Sequence, residues 1–235
     1  MIDELIMSPF LWITLTIGAY LLGARLQKKW PIMLFNPLFF SIGFIIVLLM
    51  LANIPYEKYD AGGKLISMFI TPATVALAIK LEENFIHFKK YYPAILIGIM
   101  SGILVHSLLI FSLGILFKLD AELIATLFPK SITTAIAVSV SDSLGGILSL
   151  TVALVVFTGI MGSVIGPSLL KFLKIDDPVA QGVALGSSAH AVGTSKAIEL
   201  GEIQGAMAGV SIIVTGVVVV LLAPLAQRVI QLFFT

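Results

Sequence analysis

The sequence has 235 residues, of which 59% are hydrophobic and only 11% charged, and its mean hydropathy is +1.11. Several uncharged runs approach or exceed the roughly 20 apolar residues that cross a bilayer, so the composition predicts an all-α, polytopic membrane protein. A net charge of +1 offers no basic surface for nucleic acid, and the absence of cysteine excludes disulfides, thiolate metal sites and thiol nucleophiles. Because no polar stretch is long enough to fold separately, we expect a single integral membrane domain over residues 1–235.

The first predicted span is Leu5 to Ala24, and we expect it to be retained, because an acidic N-terminus is atypical of a cleaved signal peptide. Arg25, Lys28 and Lys29 follow this span directly. By the positive-inside rule, these cations place the first loop in the cytoplasm and the N-terminus outside.

The second predicted span runs from Ile32 to Ile54, with a helix start at Asn36-Pro37. Pro55 to Lys64 is predicted as a loop. Between Lys64 and Lys80 the uncharged run would reach about 22 Å as a helix, which is shorter than the roughly 30 Å hydrocarbon core. Either its lysines snorkel or Pro72 breaks it, and we expect this third segment to cross once.

Three longer spans are predicted in the rest of the chain: Tyr91–Phe117, Ile147–Leu170 and Ile203 to about Gln227. Between them lie two segments that are too polar to face lipid, Leu123–Gly146 and Pro178–Gly201. The prediction is therefore about six full spans plus two interrupted or re-entrant helices. The fifth span carries three glycines at spacings that suit close helix packing: Gly159, Gly162 and Gly166.

An internal repeat relates the two interrupted segments. A shift of 56 residues superimposes Lys118 on Lys174, Ser131 on Ser187, Ala135 on Ala191 and Ser139 on Ser195. We therefore predict repeat units of about 91–146 and 147–202, with a fainter third copy near Pro72. Matching interrupted segments in two halves point to the binding site of a transporter. The alternative is chance similarity between helices rich in small residues.

Charge favours an inverted repeat. If Leu123–Gly146 crossed the membrane completely, Lys171 and Lys174 would lie outside, against the positive-inside rule. If it dips in and returns, both lysines lie inside. Each repeat unit then crosses an odd number of times, so the two copies have opposite orientations.

The interruptions themselves suggest what they bind. Non-helical backbone at membrane depth persists only where protein or a water-filled cavity satisfies its polar groups. The N-terminal ends of half-helices attract anions, and nearby hydroxyls can complete the hydrogen bonds. Pro129–Thr134 and Gly186–His190 supply small and hydroxyl residues at such positions. A small carboxylate fits this chemistry better than a sugar or a cation.

Three charged or titratable side chains in these segments have alternative interpretations. A lysine at the bilayer centre costs about 2.5–3.5 kcal/mol, so Lys130 must face Asp142 or a substrate anion, unless it snorkels from near a helix end. His190 could exchange a proton during transport, or it could be a neutral side chain bonded to a broken-helix carbonyl. Lys196 either contacts substrate or pairs with Glu199 on its own helix.

Neither a serine nucleophile nor a site at His106 is predicted. Ser187 could be drawn as a nucleophile activated by His190, but they would sit one turn apart with no orienting third group and no oxyanion motif, so we predict no enzyme. His106, a lone histidine on a packed span, is interpreted as a hydrogen-bonded core residue outside the site.

Four motifs resemble the signature segments of the LrgB/CidB family, the larger partner in bacterial holin/antiholin-like pairs: Pro129–Thr134, Asp142–Gly146, Ala189–Thr194 and Gly205–Met207. The resemblance covers nearly the whole chain. It implies a bacterial inner-membrane protein that works with a small LrgA/CidA-like membrane protein, first described as modulating murein hydrolase export and lysis. Plastid relatives export glycolate and glycerate, and some bacterial pairs are linked to pyruvate uptake.

We therefore expect a multi-pass bacterial transporter of monocarboxylates such as pyruvate, glycolate or glycerate. The alternative is an antiholin-like regulator of murein hydrolase export that transports nothing itself. The expected partners are the substrate, the bilayer and the LrgA/CidA-like protein, with a homo-oligomer left open and no metal, cofactor or catalytic residue. The predicted substrate-binding residues are Pro129, Lys130, Ser131, Thr133, Thr134, Asp142, Ser187, Ser188, His190, Gly193, Thr194 and Lys196.

Overall fold

The computed structural model describes residues 6–30, 32–69, 72, 79, 82 and 85–234. Within these residues the chain forms nine α-helices and one short 3-10 helix, Met33–Phe35, and no strand. Four of the helices in this part of the chain are long and apolar enough to cross a membrane. The predicted all-α, polytopic membrane fold is confirmed. The chain divides into two compact units, Met1–Leu77 and Ala78–Thr235.

The first unit contains α1 (Pro9–Lys29), α2 (Pro37–Leu51) and α3 (Tyr56–Ser67). Helix α1 is a candidate span. Helix α2 begins where it was predicted, because the side chain of Asn36 accepts hydrogen bonds from two amides of its first turn at 3.1 and 3.4 Å. It has only 15 residues, fewer than the span predicted there. Helix α3 occupies most of the segment that was predicted to be a loop. Most of the third predicted span, which contains the fainter third copy of the repeat, lies outside the described residues.

Helix α3 packs on the start of α1. Trp12 is only 1% exposed and meets Tyr59 edge to face, with ring centroids 5.9 Å apart. A Cβ atom added at Gly62 would lie 2.7 Å from the carbonyl oxygen of Pro9. The lack of a side chain at Gly62 is therefore what allows the two helices to approach so closely.

The second unit holds the remaining helices in chain order: α4 (Phe85–Phe117), α5 (Ala121–Leu127), α6 (Thr134–Leu144), α7 (Leu148–Phe172), α8 (Pro178–Leu200) and α9 (Glu202–Phe233). Helices α4, α7 and α9 contain the other three candidate spans. They correspond to the fourth, fifth and sixth predicted spans and extend beyond most of the predicted ends. The short helices α5 and α6, and the interrupted helix α8, occupy the two polar segments.

The glycines of α7 pack against α8, as their spacing predicted. A Cβ atom added at Gly159 or Gly162 would come within 2.5 Å of His190 or Ala189, respectively. At Gly166 it would meet the side chain of Leu185 at 2.6 Å. Small residues on α7 thus let the interrupted helix approach the span closely.

The turns before the two polar segments have the same construction. Lys118 and Lys174, which the 56-residue shift superimposes, have φ angles of 52° and 57°. Each ends a long helix in the left-handed conformation that satisfies the last carbonyls. Asp120 and Asp177 then cap α5 and α8, each accepting a backbone amide at 2.8 Å.

Candidate functional site

The first polar segment is broken between α5 and α6, at residues 128–133, where the interruption was predicted. Thr133 is the N-cap residue of α6, and Pro129, within the break, is fully buried. The segment then turns back on itself, because the amide of Ile147 donates to the hydroxyl of Thr126 at 2.8 Å. The first polar segment therefore forms a hairpin, as expected for a segment that dips into the membrane and returns.

The second polar segment is interrupted inside α8. Ala189 and His190 have non-helical backbone angles, and His190 has a φ of 43°. Beyond the break, a Cβ at Gly193 would collide with the carbonyl oxygen of Leu185, a contact that a straight helix cannot produce. The side-chain amide of Gln204, just after α8, donates to the side-chain oxygen of Gln181 in the first turn of α8 at 3.1 Å. This segment also reverses and returns.

His190 lies inside the protein, with 4% of its surface exposed. Its Nε2 is 2.8 Å from the carbonyl oxygen of Val155 on α7. Because a carbonyl oxygen can only accept, the ring carries a hydrogen on Nε2. One interpretation of His190 was a neutral side chain hydrogen-bonded to the carbonyl of a broken helix. The structure shows a hydrogen bond to a carbonyl, but that carbonyl belongs to the continuous helix α7.

Lys130 lies half-buried in the first break, beside buried Pro129. Its Nζ is 3.5 Å from the hydroxyl of Ser131. Among the described residues no carboxylate forms an ion pair with Lys130, and Asp142 is exposed. Lys130 was expected to face either Asp142 or a substrate anion, and the structure shows no ion pair between Lys130 and Asp142.

Lys196 pairs with Glu199 at 2.7 Å, three residues further along the same helix. Their side chains are 36% and 66% exposed. The charge of Lys196 is therefore neutralised locally, as one of its two interpretations held.

The hydroxyl groups of the site differ in what they bind. Ser187 and Ser188 donate to carbonyls one turn earlier, at 2.7 and 2.6 Å, so the hydroxyl of Ser187 is not directed at His190. Thr194 on α8 and Thr215 on α9 have buried hydroxyls with no hydrogen-bond partner among the described residues. Of the predicted hydroxyl residues, Thr194 is therefore the one with unused hydrogen-bonding capacity in the interior.

An apolar cleft of about 730 Å³ lies between α4 and the first half of α8. Tyr91 and Asp177 line it together with Ser187 and Ser188. Lys130 and His190 do not line this cleft. The structure thus places the predicted serines at the cleft, and Lys130, His190 and Thr194 elsewhere in the same unit.

Both breaks border one hydrophobic core. Phe128 and Ile132 of the first break belong to the same buried cluster as Val155, the residue that binds His190.

In the described part of the chain, no group of three or more histidine, aspartate or glutamate side chains is arranged to hold a metal ion. The two breaks therefore supply separate hydrogen-bonding groups, together with Lys130, which has no ion-pair partner among the described residues, and both border the same apolar cluster.

Two residues of this arrangement were missed from the sequence. His106 on α4 has its Nε2 3.0 Å from the carbonyl oxygen of Phe128, in the first break. Thr126 closes the first hairpin. No spacing pattern marks either residue, since their partners lie 22 and 21 residues further along the chain.

Four apolar helices and two interrupted hairpins in the described part of the chain define a polytopic helical membrane protein. Within that class, the chain belongs to the LrgB-like family, which it matches over residues 16–229. It is similar to the antiholin-like protein LrgB of Bacillus cereus strains B4264 and AH187 and of Bacillus anthracis strain CDC 684 / NRRL 3495. Each is 37% identical over 220 residues, which is 93% of this chain and 96% of the relative. No solved structure matches the chain.

Proposed function

We propose that this protein transports small monocarboxylates, of the pyruvate, glycolate or glycerate type, across the bacterial plasma membrane. It acts with a small LrgA/CidA-like membrane protein. The observation that carries the proposal is Lys130, a half-buried cation in a helix break that has no carboxylate partner among the described residues.

A bound anion would stabilise a lysine that has no ion-pair partner at this position. On insertion scales a lysine at the bilayer centre costs about 2.5–3.5 kcal/mol, and a bound carboxylate would offset part of that cost. The hydroxyl of Ser131, next to the ammonium, can donate to a second oxygen of the same carboxylate. A small monocarboxylate matches one cation and a few hydroxyls better than a dianion does.

The second break supports the same proposal. His190 Nε2 donates to Val155 whether the ring is neutral or protonated, so protonation would add positive charge without breaking that bond. The buried hydroxyl of Thr194 stands one helical turn after His190 and has unused hydrogen-bonding capacity. We assign substrate binding to Lys130 and the two breaks, and adjustment of protonation to His190.

The proposal is tested by uptake into proteoliposomes, with labelled pyruvate, glycolate and glycerate, with and without the small partner. We expect saturable uptake that Lys130→Gln lowers at least about tenfold, the factor typical of losing a charged hydrogen bond. Lys171→Gln, an exposed lysine on α7, is the matched control and should retain uptake. His190→Gln, compared at two pH values, tests whether the pH dependence of uptake comes from that ring.

A second candidate function rests on the names of the relatives, which are called antiholin-like. In that case the protein regulates murein hydrolase activity and cell lysis and transports nothing. Absence of uptake in every combination, from protein that is folded and monodisperse, would reject transport in favour of regulation. Autolysis rates of cells with and without the gene would then measure the regulatory effect.

A further inference from the structure

The first break is attached to α4 at two points. The ring of Phe128, 3% exposed, stacks on Phe111 with centroids 6.2 Å apart and planes 21° apart. The carbonyl oxygen of Phe128 lies 3.0 Å from His106 Nε2, which donates to it. Two residues of one helix therefore fix both the ring and the backbone of Phe128.

The carbonyl of Phe128 needs this donor because the break removes its helical partner. In a continuous helix the amide of Ile132 would donate to Phe128. Here that amide donates to the carbonyl of Pro129 at 3.3 Å. A buried carbonyl is costly to leave unpaired, so His106 supplies what the interrupted helix cannot.

We propose that His106 is the positioning residue of the first break and fixes where Lys130 presents its ammonium group. Lys130 follows Phe128 by only two residues, within the same break. A displacement of Phe128 therefore moves the lysine. The proposal extends the proposed function, since Lys130 is the carboxylate-binding residue there, but the placement of the break can be measured without transport.

If His106 only filled space in the core, its replacement would change the free energy of unfolding and leave the break of the folded protein unaltered. A positioning residue alters the local exposure of the break, and a side chain with an equivalent donor restores it. The two roles are therefore separated by a local probe in the break.

The absence of cysteine in the sequence makes such a probe simple. Ser131→Cys introduces a single thiol next to Lys130, and its rate of reaction with a maleimide reports the exposure of the break. We expect His106→Leu to accelerate labelling about fivefold, the factor typical of losing one hydrogen bond, and His106→Gln to restore the original rate. Leu109→Ala, at a half-exposed position of the same helix, controls for altering α4.

Uptake provides the second measurement. In the Ser131 background, His106→Leu should raise the KM for the carboxylate about fivefold and change the maximal rate by less than about twofold, because binding geometry is altered more than the transport cycle. His106→Gln should restore the KM. A protein that takes up no carboxylate would reject the proposed function, and the labelling rates would still decide the role of His106.

The inference is overturned if folded His106→Leu labels at the parental rate, or if the Gln and Leu variants behave alike. Folding is checked by a monodisperse elution profile in detergent. Should His106→Leu not fold, His106→Asn replaces it in the same comparison. Its amide is one bond shorter than that of Gln and does not reach the Phe128 carbonyl.

Discussion

Gly159 is the residue on which the placement of His190 depends. His190 is fixed by its left-handed backbone and by its bond to Val155, so its ring cannot move away from α7 without losing that bond. A methyl group at Gly159 would lie 2.5 Å from Cε1 and 2.8 Å from Nε2 of the ring. Space for the imidazole is therefore provided by a missing side chain on the neighbouring helix.

Gly159→Ala should lower the free energy of unfolding by about 1–3 kcal/mol, as overpacked core substitutions do. Gly209→Ala is the matched control, because nothing lies within 4 Å of its added Cβ atom. In a helix interior that change should be neutral or stabilise by up to about 1 kcal/mol. Thermal unfolding of the three proteins in one detergent measures the difference, and equal stability of both variants would contradict this account of the His190 site.

The partners of individual side chains show which contacts could be predicted from the sequence and which could not. Lys196 and Glu199 could be paired from the sequence because residues three apart share a helix face. His190 and Val155 are 35 residues apart, and the bond between them depends on how α7 and α8 pack. For the same reason His106 was identified as a hydrogen-bonded residue but its partner in the break was not.

At the scale of helices, polar composition located both interruptions. Proline and hydroxyl residues within 128–133, and small residues before His190, marked breaks that the structure contains. Helix α3 was missed, because its mixed charges resemble a loop and its packing on Trp12 is a tertiary contact. Local composition thus identified where helices break more reliably than where a short polar helix forms.

The two hairpins lead to a labelling prediction, because a re-entrant segment begins and ends on the same side of the membrane. Single cysteines replacing Glu122 and Ser143, on either side of the first break, should react with an impermeant thiol reagent from the same side of the membrane. Cysteines at Asp176 and Glu202 should both react from the opposite side, because only α7 separates the two pairs. All four positions are exposed. Opposite labelling of Glu122 and Ser143 would mean that the first segment crosses completely, and the inverted repeat would be wrong.

For the molecule as a whole, the distribution of lysine and arginine predicts the absolute orientation. The C-terminal end of α1, with Lys28 and Lys29, and the turn between α7 and α8, with Lys174, both carry cations and should both be cytoplasmic. A cysteine replacing Gln27 should therefore be protected in intact cells and react after lysis, as should one replacing Asp176. The Glu122 cysteine, reacting in intact cells, is the control. Different sides for Gln27 and Asp176 would show that the number of crossings between them differs from the six-span prediction.

The closing bonds of the hairpins also bear on how the chain is made. Ile147, which closes the first hairpin on Thr126, is the N-cap residue of α7, and Gln204, which meets Gln181, lies in the first turn of α9. During synthesis each hairpin is therefore completed only after the ribosome has begun the helix that follows it. Until Ile147 is made, the first break is bound by the earlier helix α4, whose His106 donates to the Phe128 carbonyl, and the hydroxyl of Thr126 lacks the amide of Ile147. The two hairpins therefore close only after 21 and 23 further residues have been synthesised, a delay set by the separation of the bonded residues along the chain.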